Sequence, residues 1–428
     1  MMKARWAVGV AMASLLAAGA IARGEARAES SPGAGEPARA EIARAAEALR
    51  AQLVEWRRDF HMHPELSNRE ERTSRVIAER LRSFGFDEVK TGVARHGIVA
   101  LLKGAKPGPV VAVRADIDAL PILEENDLPH ISTRPGIMHA CGHDGHTAML
   151  LGAAQLLLEH RHDLAGEVRF VFQHAEEVPP GGAREIIEAG VLDGADLVAG
   201  VHLLSGLRTG HVSAAPGAVM AAADLFTLEI GGRGGHGANP HETIDPVAAA
   251  AQVITNLQQI VSRETDPFDS VVMSVTTLAA GTARNVIPGS ARIGGTVRTL
   301  SLARRVEVRE AMERVIAGVT SAHRAEYRFD YEVGYDPVVN DRDAAAAVQR
   351  AIVTELGEEA LVEVAPVMGG EDFSAYGAVA PAVFFWVGTG NDELGTSFPH
   401  HHPRFDIDEA GLRNGIAVFA RTALDALR

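Results

Sequence analysis

Leu225-Phe226-Thr227-Leu228-Glu229-Ile230 opens the segment from which the architecture of the chain follows. The run reads as a half-buried strand. Helical periodicity follows over residues 246–261, strand patterns over 271–278 and 291–297, a second helix over 306–319 and a last strand over 327–333. That order is β-α-β-β-α-β, the split ferredoxin-like unit. On its N-terminal side, short apolar runs at 98–102, 110–115, 168–172 and 197–201 read as buried strands. They alternate with helical patterns at 42–60, 68–84, 147–159 and 183–189, the second opened by Asn68 as a candidate cap. On its C-terminal side a helix at 344–356, a strand at 382–387 and a helix at 409–427 resume the same character. Strands alternating with helices indicate a mostly parallel sheet. The chain therefore reads as α/β: a discontinuous domain built from residues 41–211 and 335–428, interrupted by an inserted ferredoxin-like domain at 212–334.

The chain has 428 residues, 46% hydrophobic and 5% aromatic, with a formal charge of −15. An acidic chain lacks the clustered cations that neutralise phosphate backbones, so nucleic acid is not expected as a partner. Lys3 and Arg5 precede an apolar run over 6–22, and Ala-x-Ala sites follow at Ala18-Gly19-Ala20 and Ala26-Arg27-Ala28. Residues 1–28 read as a secretory signal peptide. The expectation is an exported protein, periplasmic or secreted, with no stable membrane association after cleavage. An exported two-domain chain with a crevice also suits a periplasmic binding protein.

Cys141 is the single cysteine and cannot form an intramolecular disulfide. It lies in Met138-His139-Ala140-Cys141-Gly142-His143-Asp144-Gly145-His146, the densest cluster of metal-capable side chains. The i, i+2 spacing of Cys141 and His143 places both on one side of an extended segment, and thiolate and imidazole both suit Zn²⁺ and similar ions. A thiol nucleophile with His143 as its base is the competing reading. Gln173-His174-Ala175-Glu176-Glu177 follows a buried strand directly, and His202 follows another, where open α/β sheets form their binding crevice. Adjacent carboxylates there can divide the labour between holding a cation and taking a proton. His400-His401-His402-Pro403 supplies further imidazoles. Asp116 and Asp118 suit the task of orienting a ligating imidazole. Gly232-Arg233-Gly234-Gly235-His236-Gly237 fits G-x-G-x-x-G, but Pro240 and polar residues separate it from the next helix, so it reads as a glycine loop presenting His236.

Together these segments resemble the M20 metallopeptidase family, in particular its amidohydrolase branch. The matching motifs are Arg57-Arg58-Asp59-Phe60-His61-Met62-His63-Pro64-Glu65-Leu66, Ala115-Asp116-Ile117-Asp118-Ala119-Leu120-Pro121, residues 138–150, Phe172-Gln173 with Ala175-Glu176-Glu177, Gly234-Gly235-His236-Gly237-Ala238, Asn285-Val286-Ile287-Pro288 and Met368-Gly369-Gly370-Glu371-Asp372-Phe373. The resemblance implies a metal-dependent amidohydrolase of N-acyl amino acids, hippurate-like or related, with a carboxypeptidase or dipeptidase as the alternative. It implies two divalent ions per subunit, Zn, Mn, Co or Ni, held by Cys141, His143, Glu177, His202 and a C-terminal histidine, His401 by its spacing before Pro403. Glu176 corresponds to the general base. His236 corresponds to a residue reaching the partner's active site in a homodimer whose inserted domain is the dimerisation domain, and Asn285 to a substrate-holding loop. His174 stands where the family usually has Pro, beside the implied base, and His96 where a small residue is expected.

Overall fold

In the computed structural model, which describes residues 36–428, seven strands form one sheet in the order β1-β2-β4-β3-β5-β15-β6. They are β1 (Glu88–Val93), β2 (Gly97–Lys103), β3 (Lys106–Asp116), β4 (Ala165–Gln173), β5 (Leu197–Arg208), β6 (Val212–Ser213) and β15 (Ala382–Gly390). The central strands β4, β3, β5 and β15 run parallel, and the outer pairings are antiparallel. The expected signal peptide lies outside the described residues.

Both faces of the sheet are covered, which is why its strands read as nearly continuous apolar runs. On one face Val111, Val113 and Phe385 pack with α2 (Arg50–Met62), α3 (Glu71–Phe84), α4 (His143–Glu159), α8 (Arg342–Leu356) and α9 (Leu412–Ala426). On the other, Ala112, Val198 and Phe384 meet Phe373, Tyr376 and α5 (Gly182–Glu188). Each large side chain buried this way stabilises the fold by roughly 1.5–3 kcal/mol. The helical pattern over 42–60 divides into α1 (Glu36–Ala48) and α2 at Leu49.

Asn68 does not cap α3. It lies in a left-handed turn at φ 63°, and the carboxylate of Glu65 accepts from the amides of Arg72 and Thr73 instead. The cap comes from a residue that the i, i+3 pattern does not reach.

The remaining strands include β8 (Ala222–Gly231), β10 (Val271–Ala280), β12 (Ser290–Thr299) and β13 (Glu326–Tyr335), which pair antiparallel in the order β10-β12-β8-β13. With α6 (Pro246–Gln259) and α7 (Leu302–Ala322) they complete the βαββαβ order. Phe226, Leu228 and Ile230 face Val253, Leu257, Met312 and Ile316 in one core. The alternate face carries Leu225, Val272 and Val333, which are exposed. This unit starts at Ala222 rather than 212. Val212–Ser213 pairs with β15 in the large sheet, and β7 (Gly217–Met220) pairs with β14 (Val338–Asn340) across the two chain crossings. A ribbon of β9 (Gly235–His236) and β11 (Val286–Ile287) projects from it.

Candidate metal centre

Cys141 and His143 converge through a turn, not an extended segment. Gly142 takes a left-handed conformation at φ 96°, which a side chain would resist, and α4 begins at His143 itself. His202 does not cap its strand either. β5 continues to Arg208 because β15 pairs with it that far, whereas β3 pairs with β5 only to Gly200, so His202 stands where the sheet opens.

These elements bring Cys141, His143 and His202 together, and bring Cys141, Glu177 and His401 together, with the donor atoms of each set within 4.8 Å of one another. Cys141 belongs to both sets. Its Sγ lies 3.5 Å from His202 Nε2, and Glu177 Oε1 lies 3.2 Å from His401 Nε2 and 3.9 Å from His143 Nε2.

The tautomers favour metal binding. His143 Nδ1 donates to the carbonyl of Asp118 at 2.9 Å and His202 Nδ1 to that of Leu203 at 2.7 Å, so Nε2 is the nitrogen each ring has left to offer a cation. Among the described residues His143 Nε2 and Glu177 Oε1 are buried without a hydrogen-bond partner, which a cation would satisfy. Asp116, His143 and His146 also lie close, but His146 has both nitrogens committed, to Asp116 and to the amide of Leu203.

The three C-terminal histidines separate by their partners. His400 Nε2 donates to the carbonyl of Leu203 at 3.0 Å, and burial lowers its pKa to about 4. His402 stacks on Phe398 and accepts from the amide of Arg404. His401 alone of the three meets Glu177.

Asp118 orients two members of the cluster, holding His143 and accepting from the amide of Glu177 at 3.0 Å. Burial opposes a charge on His143, yet Asp116 and Asp118, with Glu177, outweigh it and raise its pKa to about 10. Positive charge is strongly favoured at that point. Cys141 is pushed the opposite way, well above the ordinary thiol range, by burial and by Glu177 and Glu176. A thiol so held is a poor free nucleophile, and the imidazole within hydrogen-bond distance of it is that of His202.

Glu176 is 6% exposed and its backbone carbonyl accepts from Tyr335 Oη at 2.8 Å. Burial, then Glu371 and Glu177, push its carboxyl well above the usual range. Behind it lies a network unrecognised in the sequence: fully buried Arg114 donates to Gln173, Asp116, Glu371 and Asp372. A charged residue between Val113 and Ala115 in an apolar strand was the available signal. His174 turns from Glu176 to Glu185, 3.2 Å away on α5. Cys141, Glu176, Glu177, His202, His400 and His401 open on a cleft of about 740 Å³ that also reaches the inserted sheet. His236 and Asn285 are exposed on or beside the β9–β11 ribbon and do not line this cleft.

Residues 112–425 match the model of peptidase family M20/M25/M40. An N-acyl-L-amino acid amidohydrolase of Geobacillus stearothermophilus is 52% identical over 300 residues, 70% of this chain and 81% of the relative. Thermostable carboxypeptidase 1 of Saccharolobus solfataricus is 40% identical over 87% of this chain and 94% of its own. The solved structure of the Bacillus subtilis YXEP protein, a dinuclear metal binding peptidase from the M20 family, superposes with a TM-score of 0.79 at 39% identity, covering 89% of this chain and 99% of that one. The chain therefore belongs to peptidase family M20/M25/M40, as a metal-dependent hydrolase of amide bonds.

Proposed function

We propose that Cys141, His143, Glu177, His202 and His401 hold two divalent ions and that the protein hydrolyses N-acyl amino acids, with Glu176 as general base. The observation that carries this reading is the sharing of Cys141 between two donor sets beside Glu176. The mixed sulfur, nitrogen and oxygen donors suit Zn²⁺, Mn²⁺, Co²⁺ or Ni²⁺. Bound there, such ions would supply Lewis acidity to the scissile carbonyl and to the attacking water. Glu176 would take a proton from the attacking water and deliver it to the leaving nitrogen. Its carboxyl suits this role because it is buried at the cleft wall, so a proton accepted there is well held.

The substrate's two ends have separate counterparts. Arg298 is half-buried in the cleft, and burial lowers its pKa; no hydrogen bond or ion pair occupies it among the described residues. It suits the free carboxylate of an amino acid. Leu225, Val272, Val333, Met220 and Trp386 form apolar wall for an acyl group or side chain.

A panel of N-acyl amino acids, their C-terminal amides and dipeptides tests the reading. N-acyl amino acids are expected to be hydrolysed, with kcat/KM falling at least tenfold on amidation. Arg298→Met should impose the same loss on the free acids and no further loss on the amides. Turnover of dipeptides alone favours the carboxypeptidase reading, which the Saccharolobus relative supports; saturation without product favours a binding protein.

Export of the mature chain and a homodimer belong to the same proposal. His236 and Asn285, which do not line their own cleft, would serve the site of a second copy. Mixing inactive His236→Ala and Glu176→Gln chains should then restore part of the activity, since some mixed dimers hold one intact site; no recovery on subunit exchange argues that His236 acts elsewhere.

A further inference from the structure

The proposed ligands arrive from segments far apart in the chain, and His401 is the least enclosed of them, with its side chain 52% exposed. Its position depends on the loop over 399–409, which carries little regular structure. Two attachments join that loop to the start of α4. One is local: the His401 amide donates to the carbonyl of Ala140 at 2.8 Å. The other runs through Arg57, a fully buried residue of α2.

The Arg57 guanidinium is forked between the two segments. Nε donates to Asp144 Oδ2 at 2.8 Å, one residue beyond His143 in the first turn of α4. Nη2 donates to Asp406 Oδ1 at 2.7 Å, and Nη1 lies 3.4 Å from Glu409 Oε1, both beyond His401 in the loop. Asp144 is fixed further by His61 Nδ1 at 2.7 Å, and Asn126 Nδ2 donates to the carbonyl of Phe405. A planar five-donor group can span two carboxylates in fixed directions, which a lysine cannot. Arg57 does not line the cleft and pairs with none of the proposed ligands among the described residues; its buried charge joins three carboxylates, one beside His143 and two in the segment that follows His401.

We infer that Arg57 is a positioning residue that sets the spacing between Cys141 and His143 on one side and His401 on the other, and so governs occupancy of the ion position that includes His401. The inference rests on the ligand assignment proposed above. Partners that orient ligands from behind typically account for 10–100-fold in metal affinity.

Removing Arg57 strands buried carboxylates and endangers folding, so the sharper variant is Asp406→Asn, at a side chain that is 15% exposed. Chelator-stripped full-length protein is titrated with Zn²⁺ alone, and separately with Mn²⁺ alone, by calorimetry. Wild type should bind two ions. Asp406→Asn should weaken one step by tenfold or more and leave the other unchanged, with Arg57→Lys shifting the same step. Equal affinities for both steps in wild type and Asp406→Asn, even with a lowered Tm, would overturn the inference and leave the ligand assignment standing. Wild type that binds no ion would overturn the assignment itself.

Discussion

Glu176→Gln is expected to retain its divalent metal and its cleft while losing turnover by about 10²–10⁴-fold, the usual share of general acid–base catalysis. That loss corresponds to roughly 3–5 kcal/mol of transition-state stabilisation. The amide is nearly isosteric, and the structure gives Glu176 no side-chain hydrogen bond whose loss would disturb the fold; its contact with Tyr335 runs through the backbone. Removing a charge that burial and neighbouring carboxylates oppose should if anything raise Tm. Elemental analysis and steady-state kinetics on one preparation separate the outcomes: metal retained with turnover lost supports the base, and wild-type turnover removes Glu176 from the chemistry.

Cys141→Ala should have the second large effect. Because Cys141 belongs to both donor sets, its loss is expected to weaken both ions by more than about a hundredfold, beyond what orienting partners contribute, and to abolish activity at ordinary metal concentrations. His401→Ala should weaken one ion only. A Cys141→Ala chain that binds two ions with wild-type affinity would contradict the shared-ligand arrangement.

Local patterns in the chain made much of this legible. The inserted unit is readable because its strands alternate on one buried face: Phe226, Leu228 and Ile230 turn inward while Leu225 and Glu229 do not. The large sheet is readable because both its faces are buried, so β15 is apolar almost throughout. What escaped depends on partners distant in sequence. β1 is a mostly polar edge strand, Glu88–Val93, specified by its pairing with β2. The length of β5, and hence the setting of His202, is specified by β15 nearly 200 residues later. The start of α4 moved to His143 because Gly142 turns left-handed just before it, which a periodicity reading of the helix body does not register.

The candidate site divides the same way. Residue type and motif marked Cys141, His143, Glu176, Glu177, His202 and the three C-terminal histidines. The spacing before Pro403 singled out His401 among those three, and their partners separate them in space: Leu203 for His400, Phe398 for His402, Glu177 for His401. Arg57, Arg114 and Arg298 passed unremarked as functional candidates, because an arginine's role is set by what surrounds its fork, and residues as remote as Asp406 and Glu371 do so.

Anomalous diffraction from crystals loaded with Zn²⁺ or Mn²⁺ bears most directly on whether this cluster holds two ions through a shared thiolate. Two peaks are expected among Cys141, His143, Glu177, His202 and His401, both coordinated by the Cys141 sulfur. A single peak, or peaks centred on Asp116 and His146 with the sulfur unligated, would contradict it.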